Sequence, residues 1–164
     1  MSDAVDRILA QWQRERPDLD VSPMGIIGRI GRLNKHLGQA LQVSFSKFGL
    51  NVGEFDVLAT LRRSGEPYQL TPTELFNTQM VSSGTMTHRI DGLERAGLVR
   101  RIPDPSDRRG TIVQLTNDGF AVIERAVEAH VTNEHCLLIV LEESEREALS
   151  QLLRKLLIAF EERI

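Results

Sequence analysis

The stretch that decides the fold runs from Ser82 to Thr116: SSGTMTHRIDGLERAGLVRRIPDPSDRRGTIVQLT. At about 100° per residue, Met86, Ile90 and Leu93 fall within one narrow arc of a helix, while Thr85, His88, Asp91 and Arg95 point largely the other way. Gly97 ends that helix. Leu98–Ile102 and Thr111–Thr116 are rich in β-branched and aliphatic residues and read as two strands. Between them, DPSDRRGT (104–111) has the Asp, Pro, Ser and Gly of a hairpin turn. Two adjacent arginines at its tip, Arg108 and Arg109, either lie solvated or reach for negative charge.

Working outward, helices dominate. Between Asp3 and Arg14, Val5, Ile8, Leu9 and Trp12 fall at helical spacing. RPDLDVSP breaks the chain, and Ser22-Pro23 is expected to cap and start a long helix. Its stripe is Ile26, Ile30, Leu33, Leu37 and Leu41, and it ends near Gly49. GEFDVLATLRR follows as a third helix, closed by Ser64-Gly65. Thr71-Pro72-Thr73-Glu74 is a capping box opening a short helix, after which the chain turns and re-enters a helix at Ser82. Beyond Thr116 two long helices run to the end. Ser144 with Glu147 is expected to form a second capping box there, ahead of a broad face of Leu149, Leu152, Leu153, Leu156, Leu157, Phe160 and Ile164. The fold class is mainly α with a small β-hairpin, and the element order is that of a winged helix-turn-helix.

Composition fits a nucleic-acid binder only locally. Net charge is −3 over 164 residues. Residues 1–80 balance nine basic against nine acidic groups. Residues 81–115 hold six basic and four acidic groups (net +2), and residues 116–164 hold five and ten (net −5). The positive field thus concentrates on the decisive stretch. A single cysteine, Cys136, excludes an internal disulfide framework, and its neighbours LLIVL mark it as a core residue. No apolar run reaches bilayer-spanning length, so the expected setting is cytoplasmic, with no membrane partner. No P-loop, dinucleotide fingerprint, nucleophile elbow or zinc helix motif is present, and neither an enzyme nor a cofactor or metal site is expected. The competing class is a winged helix that binds protein instead of DNA.

PTELFNTQMVSSGTMTHRIDGLERAGLVRR, then DPSDRRGTIVQLT, then a helical C-terminal region resemble the MarR family of transcriptional regulators over nearly the whole chain. The resemblance implies one MarR-like domain over residues 1–164. Residues 1–48 and 117–164 would form a helical dimerisation region, and residues 50–116 a winged helix-turn-helix lobe. It further implies a homodimer on a pseudo-palindromic double-stranded DNA operator, usually as a repressor, with half-sites about 34–36 Å apart. The family's wing element falls on Asp107-Arg108-Arg109. The resemblance implies that Arg109 enters the minor groove, oriented by Asp107, with Arg108 on phosphate; narrow grooves attract arginine. Ser82, Ser83, Thr85, Thr87 and His88 are the expected polar contacts of the recognition helix, and Ser82 and Ser83 would also cap it.

The N-terminal extension resembles that of the urate-responsive branch. That likeness places an effector pocket at Trp12, Asp56, Arg89 and Arg101 and implies a flat anionic or aromatic effector, such as urate or an aromatic carboxylate. Read from the residues alone, Trp12 is a packing residue. Arg89, about 40° from Leu93 around the helix, needs an anionic partner. Asp56 shares a polar side with Thr60 and Arg63, which predicts a solvated carboxylate. Asp56 pairs with Arg89 or bridges to Arg101.

Overall fold

The structure is a computed structural model describing residues 2–78, 83–107 and 110–162, with Ser83 described by its backbone alone. Among the described residues it holds α1 (Ala4–Glu15), α2 (Ser22–Ser46), α3 (Val52–Arg63), β1 (Gln69–Leu70), α4 (Pro72–Thr78), α5 (Ser83–Arg95), β2 (Val99–Pro103), β3 (Thr111–Leu115), α6 (Asn117–Leu137) and α7 (Glu143–Glu161). The chain divides into two compact units, residues 1–53 and 54–164. None of the described helices is long and apolar enough to cross a membrane.

In the first unit α1 packs along α2. Asp3 caps α1, accepting from the Val5 and Asp6 N–H groups at 2.7 and 2.8 Å. Arg29 of α2 holds this cap, its guanidinium 2.8 Å from Asp3 and 2.5 Å from Asp6. Val5 is buried there, whereas Trp12 is 41% exposed. Ser22 does not cap α2: it is the helix's first residue, Val21 is the N-cap, and Asp20 accepts the Ser22 N–H at 3.0 Å. The helix ends at Ser46, and Gly49 turns the chain at φ +72°.

Most of the buried apolar side chains belong to the second unit. Val57, Leu58 and Leu61 of α3, Leu75 of α4, Val113 of β3 and Ile123 of α6 are wholly buried. Met86, Ile90 and Leu93 of α5 join them as the sequence stripe requires. Each such side chain contributes roughly 1.5–3 kcal/mol by leaving water. The expected hairpin is present, with Arg101 opposite Val113 and Pro103 opposite Thr111. A third strand was not expected: β1 pairs antiparallel with β3, giving the order β1-β3-β2. Two residues are too few to show a period of two, so the sequence carries no signal for it.

Local chemistry fixes the joints. The Thr71 capping box forms, with the Glu74 carboxylate accepting from the Thr71 N–H at 2.7 Å and the Thr71 hydroxyl accepting from the Glu74 N–H at 3.2 Å. Thr116 caps α6 by accepting the Gly119 N–H at 3.0 Å, and its hydroxyl donates to the Gly97 carbonyl at 2.7 Å. A Cβ at Gly119 would lie 1.9 Å from the Leu98 carbonyl oxygen, so only glycine lets α6 start this close to the end of α5. The second expected box shifts by two residues. Helix α7 begins at Glu143, and Glu145, not Glu147, accepts the N–H of Glu142 at 2.8 Å. Ser144 falls inside the first turn, where its N–H is already past the cap position.

Cys136 is exposed, not core. The run LLIVL that suggested burial leaves the helix after Leu137, and Ile139 and Val140 stand open in the turn before α7.

Candidate DNA interface and effector site

Helix α5 presents two faces of opposite character. Inward, Met86, Ile90 and Leu93 seat it against the core, and β2 packs beside it. Outward, Thr85, Thr87 and His88 are exposed and form a polar ridge along the helix. Ser82, Arg108 and Arg109 lie outside the described residues, as does the side chain of Ser83.

The shoulders of the wing are described. Asp104 accepts from the Ser106 N–H at 2.8 Å and from its hydroxyl at 2.6 Å, and these bonds hold the Asp104 carboxyl below the usual range. The Gly110 N–H donates to the Asp107 carbonyl at 2.8 Å, and the Asp104 N–H donates to the Gly110 carbonyl at 3.1 Å. A Cβ at Gly110 would sit 2.9 Å from the Asp104 Cβ, so the hairpin closes tightly around glycine. Asp107 itself is exposed at the tip. On the outer side of the strands Arg100 reaches across to the Gln114 carbonyl oxygen at 3.0 and 2.7 Å. Gln114 in turn donates to the Pro67 carbonyl at 3.0 Å.

The four expected effector residues are distributed between the units: Trp12 belongs to residues 1–53, and Asp56, Arg89 and Arg101 to residues 54–164. Asp56 is half-buried, not solvated. Burial pushes its carboxyl above the usual aspartate range, against the opposing pull of Arg89, Arg63 and His130. The side shared with Thr60 is not a water-facing one. Thr60 is buried because its hydroxyl donates to the Asp56 carbonyl at 2.7 Å and so needs no water.

Arg101 does not bridge to Asp56. Its guanidinium is 2.5 Å from Asp91 and also bonds Glu94, whose other oxygen accepts the Arg101 backbone N–H at 3.0 Å. Burial works against this cation, and the two carboxylates outweigh it, leaving the Arg101 pKa above its ordinary value. Of the two pairings open to Asp56, its electrostatic partner is therefore Arg89.

The sequence reading missed three participants. Asp91 and Glu94 are three apart, a spacing that puts both on one flank of α5, and that signal was available. Their partner in β2 was not legible, because it depends on the angle between helix and strand. His130 of α6 lies tilted against Phe55 with ring centroids 4.9 Å apart, and its charge pulls on Asp56 from more than seventy residues away in sequence.

Comparison with known proteins places this geometry. Residues 50–111 match the MarR family model. The chain is 48% identical over 149 residues to the HTH-type transcriptional regulator PecS of Dickeya dadantii, covering 91% of this chain and 90% of that one. This chain belongs to the MarR family. As a MarR-family protein it is a transcriptional regulator, like its relatives, none of the named ones an enzyme. The multiple antibiotic resistance protein MarR of Escherichia coli K12 is 31% identical over 106 residues, 65% of this chain and 70% of that one. Among solved structures, a single-residue mutant of MarR from E. coli complexed with operator DNA superposes with a TM-score of 0.73 and 28% identity, covering 95% of this chain and 99% of that one. AbsC from Streptomyces coelicolor, at 24% identity over 87% of this chain and 97% of its own, shares the fold with a TM-score of 0.78. The winged helix-turn-helix expected from the element order is thus the fold observed.

Proposed function

We propose that this MarR-family regulator binds a pseudo-palindromic operator as a homodimer, represses transcription there, and is released by a small anionic or aromatic effector. The observation that carries the reading is the two-faced α5 with its wing: an apolar stripe fully seated in the core, and an outward ridge of Thr85, Thr87 and His88. Support for DNA as the ligand comes from the relative whose structure was solved with operator DNA. In this reading Ser82, Ser83, Thr85, Thr87 and His88 meet the major groove, Arg109 enters the minor groove with Asp107 orienting it, and Arg108 meets phosphate.

Residues 1–48 and 117–164 would form the dimerisation region and residues 50–116 the DNA-binding lobe. Support for dimerisation is the uncovered apolar surface of α2 and α7: no residue of α7 is buried, and Ile26, Ile27 and Leu33 of α2 stand open. Patches of this extent usually meet a partner. For the effector, a half-buried carboxylate under the electrostatic pull of Arg89, with Arg101 nearby in sequence on the wing strand, suits a flat anion such as urate; by resemblance Trp12 is the fourth effector residue. Ligand binding would favour a dimer whose recognition helices no longer match the half-site spacing.

The test is selection of duplexes from a random pool, followed by a mobility shift. Enrichment of a two-fold symmetric site, bound by two chains, supports the reading; no enrichment overturns it. Added urate or an aromatic carboxylate should release the bound duplex. Trp12→Ala or Asp56→Ala should blunt that release while leaving DNA affinity within about threefold of the parent, since neither faces the DNA in this account. Full release from both variants would place the effector elsewhere.

A further inference from the structure

The row of outward residues on α5 contains an anomaly for a DNA reader. Thr85, His88, Asp91 and Arg95 share one side of the helix, so Asp91 would approach a duplex carrying one negative charge per about 1.7 Å of axis. Glu94 stands on the same flank, one turn on. Two carboxylates there would repel the ligand that the rest of the ridge suits.

Arg101 meets both. From the neighbouring strand its guanidinium lies 2.5 Å from the Asp91 carboxylate and bonds Glu94 in the same fork, while its backbone N–H ties Glu94 at 3.0 Å. The side chain is 30% exposed, so the cluster is open to solvent and to anions. Arg100 points to Gln114, and Arg95 donates to the Asp91 backbone carbonyl at 3.2 Å instead of its carboxylate. With Arg101 engaged, two carboxylates and one guanidinium leave the cluster at net −1; with Arg101 withdrawn it stands at −2.

We infer that Arg101 is an electrostatic mask over the acidic flank of the recognition helix, and that an anion capturing its guanidinium uncovers charge that repels DNA. This rests on the reading of α5 as the DNA-facing helix. A carboxylate or other flat oxyanion competes for the same two-pronged fork that Asp91 and Glu94 use. Capture then weakens DNA binding through charge alone, whether or not the half-site spacing changes. Exposed charges act on one another over a Debye length of about 8–10 Å, so the effect fades as salt rises.

The experiment measures dissociation constants for a short mixed-sequence duplex by fluorescence anisotropy, at low and high salt, with thermal unfolding as a check on folding. Arg101→Gln should weaken low-salt binding by about tenfold, and less at high salt. Asp91→Asn/Glu94→Gln/Arg101→Gln, which removes the whole cluster, should return to within about threefold of the parent. A purely scaffolding arginine would leave that triple variant as weak as Arg101→Gln, which overturns the mask. Parent-like binding by Arg101→Gln also overturns it.

Asp91→Asn/Glu94→Gln keeps the arginine and turns the cluster from net −1 to +1, so it stays informative if Arg101→Gln fails to fold. It should tighten binding, by up to about tenfold at low salt; unchanged or weaker binding counts against the mask. If the unmodified protein binds no duplex at all, the DNA reading falls and the mask with it. If the parent binds and the variants misbehave, only the mask falls.

Discussion

Helices α5 and α7 carry equally regular apolar stripes and put them to opposite use. In α5, Met86, Ile90 and Leu93 are at most 2% exposed. In α7, Leu149, Leu152, Leu153, Leu156, Leu157 and Phe160 are all at least 41% exposed. The periodicity is the same; the surroundings differ. Helix α5 is covered by its own chain, through α4 and β2, whereas α7 leaves its stripe uncovered. The apolar stripe of α5 is complete in a single copy, and that of α7 is left open.

The comparison can be broken most forcefully at α7. Leu152→Glu/Leu156→Glu places charge in the open stripe without disturbing any buried residue. It should convert a dimer to a folded monomer by sedimentation and lower operator affinity by about two orders of magnitude, because two linked half-site contacts become one. A folded dimer with normal affinity would mean that α7 is not the mating face.

Truncation sharpens the same contrast. Leu93→Ala should cost about 2–5 kcal/mol of stability by urea denaturation, the usual range for emptying a buried leucine site. Leu157→Ala, made in the monomeric background, should cost less than about 0.5 kcal/mol. Equal losses at the two positions would erase the distinction between a covered and an uncovered stripe.

A smaller effect concerns Asp56. Burial raises its carboxyl pKa above the ordinary aspartate value of 3.8, so the native state holds the proton more tightly than the unfolded chain does. Its stabilising contribution is therefore present below the unfolded pKa and is lost as pH rises through the folded one. Asp56→Asn, neutral throughout, should flatten the fall of stability across the mildly acidic range just above 3.8, read as urea midpoints against pH. Parallel curves for parent and variant would show that Asp56 is not desolvated in solution.

Much of the winged helix-turn-helix was legible in sequence, because its determinants are local. A capping box at Thr71, a stripe at Met86, Ile90 and Leu93, a terminating Gly97 and two short β-rich runs each carry their own signature. What escaped depends on distant partners. The two-residue strand β1 exists only because β3 offers it an edge. Asp56 looked solvated on its helix because Thr60 looked polar, and Thr60 is buried once its hydroxyl finds the Asp56 carbonyl. Arg101 was expected at an effector, and the residues it holds, Asp91 and Glu94, were visible only as helix surface. Cys136 failed the other way, since an apolar neighbourhood in sequence is no guarantee of cover in space.

The central claim is that this molecule reads DNA through α5 and the wing, and salt dependence tests it most directly. The affinity for the selected duplex should fall linearly on a logarithmic scale as salt rises. Arg109→Ala should weaken binding and reduce that slope by about one phosphate equivalent or less. An affinity indifferent to salt, and equal for parent and Arg109→Ala, would contradict the account.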